Sequence, residues 1–121
     1  MDINSLVGFT LESCSFSKSS YTFEFCGKLN NEYRTFLVST SYNFSVDVEN
    51  MVDALENFSV EVWNFLEKEI KSISIERDAR SQKIVFVFEN EISFFIWSGE
   101  PLIDNMLIVT EPKTGEWYPV L

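Results

Sequence analysis

Histidine is absent from this chain, and with it the side chain that most often moves protons or binds metal at neutral pH. Two cysteines, Cys14 and Cys26, do not make a disulfide framework and are too few for a cysteine metal site. The four glycines are scattered, so no glycine-rich loop is available to cradle phosphate. The longest apolar runs, residues 84–88 and 94–97, fall far short of the roughly 20 residues that span a bilayer. The opening MDINSLVGF has no positive charge ahead of an apolar stretch and does not read as a signal peptide. Positive charge is itself scarce: 9 Lys and Arg face 19 Asp and Glu, for a formal charge of −10. A surface this negative repels phosphate backbones and anionic lipid, so nucleic acid and membranes are poor partners and basic proteins good ones. The same charge also serves simply to keep an aromatic-rich chain dispersed. The expectation is a soluble, cytoplasmic protein with no metal, no cofactor and no catalytic residues.

What the chain does contain is apolar bulk. Its 121 residues fit one domain over 1–121, and 45% of them are hydrophobic, twelve being Phe. Residues 9–16, 21–27 and 33–40 alternate apolar and polar, which is strand periodicity, and turns at 17–20 and 30–32 join them into a meander. Between Val46 and Ile70 the period changes. A short helix is predicted over 51–56, and Ser59 is placed to cap a second from Val60 to about Lys71, with Val62, Trp63, Leu66 and Ile70 on one stripe. Period two then returns at 72–76, residues 83–88 and 92–97 are nearly continuous apolar strands that imply burial on both faces, and 106–110 and 117–120 complete the sheet, with Pro119 marking an edge strand. Trp63 and Trp97 read as core. The fold class expected is α+β: a bent antiparallel sheet of about seven strands, three, then a helical segment, then four, with a helix packed on one face.

Paired carboxylates are the one enzymatic route left open, and each pair has an ordinary reading as a solvated turn or helix face. From Thr35 to Glu67 there are six carboxylates and no Lys or Arg. Within that stretch Asp47, Glu49, Asp53 and Glu56 follow one another, and Glu49, Asp53 and Glu56 are spaced i, i+4, i+7, one face of a helix. Glu89 and Glu91 flank Asn90 at a predicted tight turn and form a second acidic group. Either group suits docking to Lys and Arg of a protein partner. Trp117 and Tyr118, on the edge strand, are candidate contact residues of another kind.

The segment 66–109, with its L-x-x-x-I-x-x-I-x-I run, its apolar hairpin and its DN-x-L-x-V strand, resembles small bacterial immunity proteins of contact-dependent growth inhibition and related polymorphic toxin systems. The opening L-V-G-F-T-L and the Phe-rich hairpin after it fit the same pattern. The resemblance implies a non-enzymatic cytoplasmic protein that binds a cognate toxin domain, often a nuclease with a basic cleft, and blocks its active site. Asp47, Glu49, Asp53, Glu56, Glu89 and Glu91 are the contacts expected from charge. Two other readings stay open: a small-ligand-binding α+β domain with a Phe-lined cavity, and a DNA mimic that inhibits a nucleic-acid-binding protein.

Overall fold

The computed structural model describes residues 2–16, 20–40, 45–48, 64–77, 81–98 and 107–120. Among them are nine strands: β1 (Thr10–Phe16), β2 (Tyr21–Leu29), β3 (Glu32–Thr40), β4 (Ser45–Val48), β5 (Ile70–Arg77), β6 (Gln82–Phe88), β7 (Ser93–Ser98), β8 (Leu107–Thr110) and β9 (Trp117–Pro119). They form two antiparallel sheets, ordered β1-β2-β3-β8-β9 and β4-β7-β6-β5.

Alternation does the local work. In β2 Phe23 and Phe25 are buried while Thr22 before them and Glu24 between them are not. The β2–β3 hairpin closes on Asn30 and Asn31, at φ 54° and 64°, where asparagine tolerates the left-handed conformation that a two-residue turn needs. In the β1–β2 hairpin Cys14 faces Phe23, but a bulge between Leu11 and Ser13 moves the register, so Cys26 faces Thr10 instead of Leu11.

The expected α+β arrangement is overturned. Among the described residues no helix packs on a sheet face, and the helical pieces are short 3-10 turns such as Ile3–Leu6 and Glu89–Glu91. The predicted helix over 60–71 is replaced, from residue 64 on, by a turn and the start of β5. Glu67 adopts φ 63°, which no helix accepts. The backbone here bonds across to the other sheet: Glu67 N–H donates to Leu11 O at 2.8 Å, Ile70 N–H to Phe9 O at 2.8 Å and Gly8 N–H to Ile70 O at 2.9 Å. Phe65 turns into the core against Phe88 and Phe94, so the apolar spacing is met by tertiary contacts. Val46 and Asp47, assigned to the helical segment, lie in strand β4. The helix predicted over 51–56 lies outside the described residues. Of the elements carrying the family resemblance, the 83–97 hairpin and the strand at Leu107–Thr110 are present, and the helix ending at Ile70 is not.

Two sheets replace the single bent one because β5 crosses the other sheet. It begins bonded to β1 at one edge, and at its far end Arg77 Nη2 donates to Val120 O, just past β9 at the opposite edge. Eight residues at about 3.3 Å each reach about 26 Å, and five strands spaced about 4.8 Å apart span about 19 Å. A strand lying along the other sheet's strands would not meet both edges, so β5 runs obliquely across that sheet.

Phenylalanine fills the space between them. Phe23 and Phe25 of β2 stack on Phe94 (4.9 Å) and Phe86 (5.5 Å) of the facing sheet. Gly27 is dictated by this packing, since a Cβ there would stand 2.7 Å from the Phe9 ring. Trp97 corrects the reading as core: it lies on the outer face and is 37% exposed. Trp63 is outside the described residues.

Candidate functional site

The seam where β5 meets β1 gathers acids. Leu11 is bridged to Leu66 and Thr10 to Glu69, which brings Glu12 alongside Glu67 and Glu69. Glu89 and Glu91 arrive from the β6–β7 turn: Glu89 N–H donates to Glu69 O at 2.9 Å, and Glu69 N–H donates back to Glu89 Oε1 at 3.2 Å. Five carboxylates, those of Glu12, Glu67, Glu69, Glu89 and Glu91, therefore share one end of the molecule with two ammonium groups, Lys68 and Lys71. Lys71 lies 3.9 Å from Glu69. Glu91, Glu67 and Glu12 are exposed. Glu89 is half-buried, and its carboxylate is engaged in closing the seam.

Of the six acids singled out by charge, this end holds Glu89 and Glu91. Asp47 sits opposite Phe95 on β4, which runs toward the same end of its sheet, since Val48 faces Phe94. Glu49, Asp53 and Glu56 lie outside the described residues. Glu67 and Glu69 were hidden by the helical assignment. No local alternation marks them, because Glu67 stands in a left-handed turn and the chain is not extended from 67 to 69.

A second polar feature lies two strands away from the seam, at the end of β3. Arg34 Nε donates to Glu111 Oε2 at 2.6 Å, and Arg34 Nη2 meets the same oxygen. Glu111 is buried, while the Arg34 side chain keeps 28% of its exposure and lies 5.2 Å over the Phe36 ring. The pair walls a cleft of about 280 Å³, also lined by Glu32, Tyr33, Thr35, Lys113 and Thr114. Lys113 answers Glu32 at 3.7 Å, so the lining is charge-balanced. The Tyr33 ring stands 64% exposed. Its phenol is pushed above the ordinary range first by a hydrogen bond to Cys26 and further by the nearby Glu12 and Glu24 carboxylates. No sequence signal joins Arg34 to a carboxylate 77 positions away. Trp117 is also exposed, and the Tyr118 phenol donates to Glu116 Oε2 at 2.5 Å.

Neither cysteine is disulfide-bonded. Among the described residues no cluster of three or more His, Cys, Asp or Glu is placed to hold a metal ion, and no helix is long and apolar enough to cross a membrane. Compared with known protein families, with curated proteins and with solved structures, the chain matches none.

Proposed function

We propose that the protein is a non-enzymatic, cytoplasmic immunity protein that binds a basic toxin domain, a nuclease by its charge, and covers that domain's active site with an acidic surface. The observation that supports this reading is the gathering of Glu12, Glu67, Glu69, Glu89 and Glu91 at one seam. A nuclease cleft is built to attract phosphate, so a group of carboxylates is attracted to it by the same field. Backbone bonds hold the segments carrying Glu67, Glu69 and Glu89, which lowers the backbone entropy lost on docking. Asp47, Glu49, Asp53 and Glu56 remain candidates by charge alone. A DNA mimic would need acids along one extended face, and Lys68 and Lys71 interrupt this one.

The test is co-expression with the toxin domain encoded immediately upstream, scored as cell growth. Glu69→Lys/Glu91→Lys is expected to lose protection while melting like the parent, and Asp53→Lys/Glu56→Lys to do the same. Raising salt is expected to slow association more than it speeds dissociation, because exposed charges are screened beyond about 10 Å at 0.1 M. Full protection by both double reversals would sink the proposal. So would a chromosomal neighbourhood with no toxin gene.

A further inference from the structure

β3 is bonded on both sides in its second half only. It pairs with β2 from Glu32 to Ser39, but with β8 only from Leu37 to Thr40. Neighbouring hydrogen bonds fix which way its backbone groups point. Val120 N–H donates to Leu107 O and Glu111 N–H to Glu116 O, so the odd residues of β8 bond to β9 and its even residues turn to β3. Those even residues, Ile108 and Thr110, face Ser39 and Leu37, so the odd residues of β3 bond toward β8. The two-residue Asn30-Asn31 turn gives the same parity independently. Residues flanking such a turn form a hydrogen-bonded pair, here Leu29 with Glu32, so the even residues of β3 bond toward β2.

Followed back from Leu37, the N–H and C=O of Thr35 and Tyr33 point into the space beyond the end of β8. The position opposite Thr35 in this register is Pro112, which has no N–H. The chain is already turning there, with Gly115 N–H donating to Glu111 O at 2.8 Å. Among the described residues no backbone hydrogen bond joins Tyr33 or Thr35 to residues 111–116. The space those groups face is the 280 Å³ cleft.

We propose that this cleft accepts one extended segment of a partner protein, added as a short strand against Tyr33 and Thr35 where β8 stops. Parity sets its side chains. Residues opposite Tyr33 and Thr35 share their outer face, beside the exposed Tyr33 ring, and the residue between them turns inward toward the Arg34–Glu111 pair. Lys28 stands directly opposite Tyr33 on β2, while Glu24 lies further along β2 and Glu12 on β1, so no one sign of charge dominates the outer face there. The segment is therefore selected by its extended backbone, with uncharged strand-forming residues at its outward positions. The proposal stands on unpaired backbone and does not rest on the toxin reading or on the acids of the seam.

Amide hydrogen exchange read by NMR tests it. In the free protein the Tyr33 and Thr35 amides are expected to exchange fast, between protected Arg34 and Phe36. A blocked peptide alternating valine and threonine, at saturation, is expected to protect both. Methylating the peptide nitrogens on the edge facing β3 removes donors, and Thr35→Pro removes the N–H that faces away from β2. Each should weaken binding by about tenfold, the worth of one or two net hydrogen bonds. Thr35→Val, which keeps the amide, should bind like the parent. The proposal is overturned if Tyr33 and Thr35 are already protected in the free protein, if millimolar peptide leaves them unprotected, or if the methylated peptide binds equally well.

Discussion

Two strands of the five-stranded sheet run out of a neighbour, and they differ in what happens next. β1 is the edge strand, yet the start of its outer side is covered: residues 66–70 cross from the other sheet and bond to Gly8, Phe9 and Leu11. β3 lies in the interior of the sheet, yet from Tyr33 to Thr35 its β8 side faces a cleft. Position within the sheet therefore does not decide which backbone groups stay open; the chain that comes alongside does. At β1 that chain carries Glu67 in a left-handed conformation, which lets it double back and present donors. At β3 it carries Pro112, which has no donor to present. Acids collect at the closed place and a balanced ion pair at the open one, so one favours docking by charge and the other docking by backbone.

The largest expected effect tests the closed side. Phe9→Ala removes the ring that packs on Gly27 and Phe36 beneath the β1 seam, and urea unfolding should show a loss of about 3–5 kcal/mol. A loss below 1 kcal/mol would mean that the seam is not anchored by packing. On the open side, Glu111→Ala leaves Arg34 without its carboxylate. Because Arg34 keeps part of its water, the expected loss is about 1–3 kcal/mol, with faster exchange across the turn at 111–116. Glu67→Val places a β-branched residue at φ 63° and should lose about 1–2 kcal/mol, whereas Glu67→Gly should be close to neutral. If both variants unfold alike, the left-handed turn is not what closes β1.

The smallest effect concerns pH. Burial pushes the Cys14 thiol up from 9.0 to about 12. The unfolded chain then ionises at lower pH than the folded one, so this contribution is intact below pH 9 and is lost as pH rises toward 12. Tyr33 and Tyr118, also raised, act in the same direction. Unfolding midpoints at pH 8 and about pH 10.5 should fall, and Cys14→Ala should flatten the fall.

Much of this was legible in the residues. Alternation located β1 to β3, continuous apolar runs located the β6–β7 hairpin, and Pro119 marked its edge, but β6 is fully buried on one face only, with Ile84, Phe86 and Phe88 inside. The bulge at Leu11–Ser13 was not legible, since nothing in L-E-S sets where a register slips. The helical assignment failed at Phe65–Ile70, where apolar spacing fits a helix but the backbone is claimed by residues 8 to 11, far earlier in the chain. The acidic character of the site was readable from composition. Its assembly was not, because Glu12, Glu69 and Glu89 are joined only by the crossing of β5.

That crossing also sets an order in time. β5 can zip onto β6 as soon as residue 88 exists, since the two are sequence neighbours. Its other fastenings join positions far apart: Gly8 to Ile70, and Arg77 to Val120 across 43 residues. On the ribosome the fastening to Gly8 can form before β6 is complete, but Arg77 waits for Val120, so β5 is held at one end only until residue 120 has emerged. Long-range pairing of this kind places folding on the scale of milliseconds to seconds. A pause in translation after residue 98 would lengthen the interval in which β3 lacks β8 and its open edge is exposed to aggregation and chaperone capture.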